Sequence, residues 1–243
     1  MKSTNPIFNE EAFEKTRDSM QVSGGIMTLQ GTINKSLALI FITMIGFMIS
    51  WASVYTVANL LWPASIAALI VGFIVIFKKN TAPFLAPVYA FLQGIVMGAI
   101  SFMFEAQFAG IVLNAVGITV VVFFTMLLLY KLRIIKVTHT FRSVIIGATL
   151  AVCVFYLIAL VMNLFGSPLN FMYSSSPLSI GISVIICGVA ALNLMLDFDF
   201  IEHATMSGAM PKYMEWYAGF GLLVTLIWLY LEILKLLGKL NRR

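Results

Sequence analysis

The sequence predicts an all-α polytopic membrane protein, a bundle of seven transmembrane helices that follows a short polar tail. Of its 243 residues, 61% are hydrophobic and 10% are charged, whereas soluble domains carry roughly 25% charged residues. The mean hydropathy is +1.00. Many apolar runs approach the roughly 20 residues that a helix needs to cross the hydrocarbon core of a bilayer. We therefore expect a cytoplasmic tail over residues 1–35 and one transmembrane domain over residues 36–243.

The tail is the first element along the chain. It mixes four basic with four acidic residues and lacks the apolar core of a signal peptide, so we expect it to be retained. Asn9 is a helix-capping residue followed by two glutamates, which predicts a short helix that ends near Met20.

Seven apolar segments follow, and polar residues, proline or glycine separate each from the next. The second segment is the shortest. Gly94 and Gly98 in the third segment have the spacing that lets two membrane helices pack closely. The predicted bounds are 36–58, 63–77, 84–104, 111–130, 143–165, 178–200 and 213–237.

The basic residues predict the orientation. Lysine and arginine occur before the first segment and in every second connection, and the connections between are free of them, so the N-terminus is expected in the cytoplasm. Seven crossings then place Lys235, Lys239, Arg242 and Arg243 outside, against the same rule. An even number of crossings, with the last two segments forming a re-entrant hairpin, is the alternative.

The acidic residues are concentrated near the C-terminus. A carboxylate at membrane depth is costly, and it normally faces the bundle interior and marks a proton or ion pathway. The last two helices are therefore the candidate functional part of the protein. Their acidic residues are Asp197, Asp199, Glu202, Glu215 and Glu232.

Helical geometry divides these acids into two groups. Asp199, Glu202 and His203 are spaced i, i+3 and i+4 and share one face. Carboxylate oxygens on that face could contact a hard cation such as Ca²⁺, or could simply be solvated at the cytoplasmic end of the sixth helix. Asp197 points about 200° away from Asp199.

Asp197, Glu215 and Glu232 are the candidate proton-sensing or ion-pathway residues. Asp197 directly follows an apolar run, and Glu232 lies within the last one. The alternative for Glu232 is an acid that reaches the outer interface beside Lys235. Glu215 is either a charge at a helix N-terminus or a third member of the acid cluster.

Three segments carry a resemblance to a known family: Phe91-Leu-Gln-Gly-Ile-Val-Met-Gly98, Leu196-Asp-Phe-Asp-Phe-Ile-Glu-His-Ala204 and Leu229-Tyr-Leu-Glu-Ile-Leu-Lys-Leu-Leu237. They resemble the Bax inhibitor-1 (transmembrane Bax inhibitor motif) family. The resemblance implies seven helices around a central last helix. It also implies a pH-sensitive cation leak, usually for Ca²⁺, in which two acids of the last two helices share protons and titrate as a pair.

The positions that match the paired acids are Asp197 and Glu232, where this sequence has glutamate in place of the family's usual aspartate. The stretch between them is longer than usual, and straight helices put the two acids about 25 Å apart in depth. Glu215 is expected to lie closer to Asp197 in depth than Glu232 does, and it is therefore the alternative partner of Asp197.

The expected function is thus a cation leak, with Ca²⁺ as the permeant ion and no bound cofactor. The alternative, which the resemblance also allows, is a regulatory membrane protein that acts through contacts with a protease or a stress-response partner. An enzyme is not expected, because neither a G-x-S-x-G nor an H-E-x-x-H motif occurs. The expected partners are the lipid bilayer and other membrane proteins, not nucleic acid. The expected location is a bacterial inner membrane, and an endoplasmic reticulum membrane is the alternative.

Overall fold

The computed structural model describes residues 25–53, 61–166 and 174–242. The short helix predicted from Asn9 lies outside these residues. Within them, seven α-helices and one 3₁₀ turn at Lys79–Thr81 account for the regular structure. The helices are α1 Leu29–Ala52, α2 Leu61–Phe77, α3 Ala82–Gln107, α4 Ile111–Lys131, α5 His139–Leu164, α6 Pro177–Met206 and α7 Met214–Asn241.

The helices extend beyond their apolar segments. α1 begins seven residues before the predicted start, because the Thr28 side chain accepts a hydrogen bond from the Gly31 N–H and caps the helix there. α6 continues six residues past its predicted end to Met206. Hydropathy marks only the apolar part of a helix, whereas the backbone hydrogen bonds continue through polar residues.

Six of the helices are long and apolar enough to cross a membrane, and α2 is shorter, with 17 residues. Large hydrophobic side chains cover much of the outer surface, as lipid contact requires. The protein is therefore a polytopic helical membrane protein, and the count of seven crossings stays a prediction.

The last helix occupies the centre of the bundle. α7 packs against α1, α3, α4 and α6, and half of its most apolar stretch is buried. α5 is the opposite case: it packs chiefly against α6, and 6% of its apolar stretch is buried. The central last helix that the family resemblance implied is thus present.

The glycines of α3 form its contact with α1. A Cβ on Gly94 would collide with the backbone of Thr43, and one on Gly98 would lie 2.6 Å from the carbonyl oxygen of Phe47. Gly46 of α1 meets α3 in the same way. The prediction that Gly94 and Gly98 are packing residues is confirmed.

The last two helices are uninterrupted. α6 and α7 are continuous helices of 30 and 28 residues, each long and apolar enough to cross a membrane, and the re-entrant alternative stays a prediction, like the count of seven crossings. Basic residues near the end of α7 have partners inside the protein: Lys235 pairs with Glu232, and Lys239 donates to the Ser183 hydroxyl. Their position therefore does not require the helix to turn back.

Candidate functional site

The candidate site is the interface between α6 and α7, which run antiparallel from a short connection at residues 207–213. That connection is tied to the segment before α1. Ile26 and Pro211 form an antiparallel bridge, and the N–H of Lys212 donates to the Gly25 carbonyl at 2.9 Å. We call this contact between residues 25–28 and the α6–α7 connection the clasp.

Asp197 has the least satisfied carboxylate of the described acids. Its Oδ2 atom is buried and has no hydrogen-bond partner among the described residues. The Thr225 side chain of α7 lies close to this carboxylate. Among the described residues, the Thr225 hydroxyl donates one long hydrogen bond, to the Gly221 carbonyl at 3.3 Å. A buried polar atom without a partner is uncommon and calls for an explanation such as a proton or a bound ion.

Glu232 is also buried, but it is fully partnered. The Tyr156 hydroxyl of α5 lies 2.8 Å from both carboxylate oxygens, and Lys235 Nζ lies 2.7 Å from Oε1. Lys235 also donates to the Tyr156 oxygen at 2.9 Å. The expected i, i+3 pairing with Lys235 is present, whereas the exposed position at the interface is not, because Glu232 is only 2% exposed.

Glu215 joins the start of α7 to the start of α1. It is buried in the first turn of α7, and its Oε1 accepts hydrogen bonds from the Thr28 N–H at 3.1 Å and the Thr28 hydroxyl at 2.9 Å. A side chain on Gly31 would overlap this carboxylate. Glu215 thus lies at two helix N-termini, where a negative charge is favourable.

The structure does not bring these three acids together. Asp197 is level with Thr225, which is ten residues after Glu215 and seven before Glu232. At 1.5 Å per residue, these separations are about 15 and about 10 Å along α7. Glu215 is therefore not the closer match in depth to Asp197. The extension of α6 to Met206 moves Asp197 away from the end of its helix and explains the difference.

Asp199 and Glu202 have separate partners on other helices. Asp199 is buried and pairs with Arg142 of α5 at 2.5 Å, and His203 lies 3.3 Å from its other oxygen. Glu202 accepts a hydrogen bond from the Tyr130 hydroxyl of α4. A cation at Asp199 would have to displace the Arg142 guanidinium. The described residues contain no group of three or more acidic, histidine or cysteine side chains that could hold a metal ion.

The sequence analysis missed the partners of the acids. Hydroxyl groups within apolar segments were a usable signal for some of them, since a polar group at membrane depth needs a partner. No local pattern links an acid to a residue on a distant helix. The missed residues are Thr28, Tyr130, Arg142, Tyr156 and Thr225.

Two comparisons with known proteins bear on the identity of the chain. A family model described as Bax inhibitor 1 like matches residues 5–242. A search among individually curated proteins found no significant match. The family model covers nearly all of the 243 residues, so the chain belongs to the Bax inhibitor 1-like family.

Proposed function

We propose that this membrane protein is a cation leak, with Ca²⁺ as the permeant ion, and that protonation of carboxylates in α6 and α7 controls it. The observation that carries the proposal is the Oδ2 atom of Asp197, which is buried where α6 packs against the central helix and has no hydrogen-bond partner among the described residues. Membership of the Bax inhibitor 1-like family supports the same function.

The chemistry of Asp197 supports control by protons. An ionised carboxylate inside the bundle needs a positive partner, and a passing cation can be that partner. A protonated carboxyl is neutral and needs only an acceptor, which the Thr225 hydroxyl can supply. The ionised form of Asp197 therefore attracts a cation, whereas the protonated form does not. Carboxylate and hydroxyl oxygens are ligands of the kind that Ca²⁺ prefers.

Glu232 and Glu215 are the further acids of the pathway in this proposal. Glu232 holds Lys235 and Tyr156 on one side of Asp197, and Glu215 holds the clasp on the other. Proton sharing between Asp197 and either acid would need a rearrangement of α7, since each lies about 10 to 15 Å away along the helix.

Ca²⁺ flux into proteoliposomes across a pH series tests the proposal. Asp197→Asn keeps the shape of the side chain and cannot ionise, so we expect its flux to lose the pH dependence of the wild type. Glu105→Gln is the matched control, because Glu105 accepts hydrogen bonds from Gly110 and Val112 at the start of α4, outside the α6–α7 interface. An Asp197→Asn flux unchanged in both size and pH dependence would refute the proposal.

The clasp favours a second candidate function, regulation through contacts with other membrane proteins such as a protease or a stress-response partner. It ties the end of the polar tail to the α6–α7 connection, on the side that the basic residues predict to be cytoplasmic. Deleting residues 1–24 leaves the clasp in place. Loss of a cellular phenotype with flux preserved would favour regulation, and loss of neither would count against it.

A further inference from the structure

A second site lies away from Asp197, in a pocket of about 480 Å³ between α3, α5, α6 and α7. This volume is in the usual range for ligand pockets, about 300–1,000 Å³. Much of the wall is apolar and includes Ile100, Phe155 and Ile186. Ser179, Ser183 and Lys239 line the end formed by the start of α6 and the end of α7.

This end of the pocket has an excess of positive charge. Glu232 and Lys235 form an ion pair, so their charges compensate each other. Lys239 has no acidic partner within ion-pair distance among the described residues. Its Nζ donates to neutral oxygens, the Ser183 hydroxyl at 2.7 Å and the Ser179 carbonyl at 3.5 Å.

Ser179 provides an independent observation. The residue is 1% exposed, and its hydroxyl oxygen has no hydrogen-bond partner among the described residues. The hydroxyl lies in the first turn of the 30-residue α6, where the helix dipole favours an anion. Ser179, whose buried hydroxyl has no partner among the described residues, and Lys239, whose ammonium group has no acidic partner there, thus belong to the same end of the pocket.

We propose that this pocket binds the phosphate group of an anionic phospholipid. Lys239 and the Ser179 hydroxyl contact the phosphate oxygens, and the acyl chains lie against the apolar walls. A lipid fits better than a free phosphate because the rest of the pocket is apolar. α5 packs chiefly against α6, which leaves the pocket between α5 and α7. Lys239 is also near the end of α7, where a headgroup is expected.

The test measures the thermal unfolding midpoint of the full chain in detergent as dioleoylphosphatidylglycerol is added, since a ligand of the folded state raises the midpoint. Dioleoylphosphatidylcholine and inorganic phosphate are the comparison ligands. We expect Lys239→Gln to weaken the apparent affinity about tenfold and Ser179→Ala about threefold, the ranges for a charged and a neutral hydrogen bond. Lys212→Gln is the charge-matched control, an exposed lysine near the other end of α7.

The outcomes distinguish binding at this pocket from non-specific electrostatic attraction of an anionic lipid to the protein. The proposal holds if phosphatidylglycerol raises the midpoint more than phosphatidylcholine does and if Lys239→Gln and Ser179→Ala weaken this effect while Lys212→Gln does not. Equal weakening by both lysine variants would overturn it, as would equal effects of the two lipids. A midpoint that rises as much with inorganic phosphate would overturn the lipid assignment. If Lys239→Gln does not fold, an unchanged affinity of Ser179→Ala overturns the proposal by itself.

Discussion

Replacing Gly98 with alanine tests the packing of α1 on α3. The new Cβ would lie 2.6 Å from the Phe47 carbonyl oxygen and 2.8 Å from the Ser50 Cβ, where ordinary contacts are 3.4–4 Å. Backbone atoms cannot rotate away, so the two helices must separate by about 0.8 Å at this point. Overpacking of this kind costs about 1–3 kcal/mol. A cost of about 2 kcal/mol lowers the unfolding midpoint of a chain of this size by roughly 4–8 °C.

The assay is the thermal unfolding midpoint of purified Gly98→Ala protein in one detergent. Gly117→Ala is the matched control, because Gly117 is an exposed residue of α4 and a Cβ there meets nothing within 4 Å. Alanine has a higher helix propensity than glycine, so the control is expected to keep or raise the midpoint. A Gly98→Ala midpoint equal to that of the control would refute the close approach of α1 and α3.

Two further predictions concern polar pairs, measured by the same unfolding assay. The side chain of Arg142 is 52% exposed and that of Asp199 is 6% exposed, so their ion pair is intermediate between a surface pair and a buried pair. A double-mutant cycle of Arg142→Gln and Asp199→Asn should therefore give a coupling energy of about 1–2 kcal/mol, between the values for those two kinds of pair. Additive effects of the two substitutions on stability would contradict this prediction. The hydroxyls of Ser101 and Tyr230 are buried and 2.7 Å apart. Tyr230→Phe should therefore cost about 1–3 kcal/mol by leaving Ser101 unpaired. Adding Ser101→Ala should restore much of the stability, and a double variant as unstable as the sum of the single ones would argue against the bond.

The all-α membrane fold could be predicted because its cause is local. Each helix satisfies its own backbone hydrogen bonds, and an apolar run of sufficient length is needed to cross the bilayer. The errors were at the polar ends. The start of α1 depends on the cap at Thr28, and the end of α6 lies beyond the apolar run, at Met206.

The candidate site was predicted in part. The acids of α6 and α7 were identified because carboxylates are rare in apolar segments, and the resemblance to the Bax inhibitor-1 family is confirmed by the family match over residues 5–242. The partners were not identified, because Arg142 and Tyr156 lie more than fifty residues from the acids they contact. Their pairing depends on how α5 meets α6 and α7.

The sequence by itself therefore determined the membrane class, the helices, the family and the acids that need a partner at membrane depth. Tertiary structure alone decided which acids are satisfied. Glu215 is held by Thr28 and Glu232 by Tyr156 and Lys235, whereas one oxygen of Asp197 has no partner in the part of the chain that the structure describes. The physical reason is that the cost of a buried charge is set by the residue's type, but its compensation depends on atoms that only helix packing brings within hydrogen-bond distance.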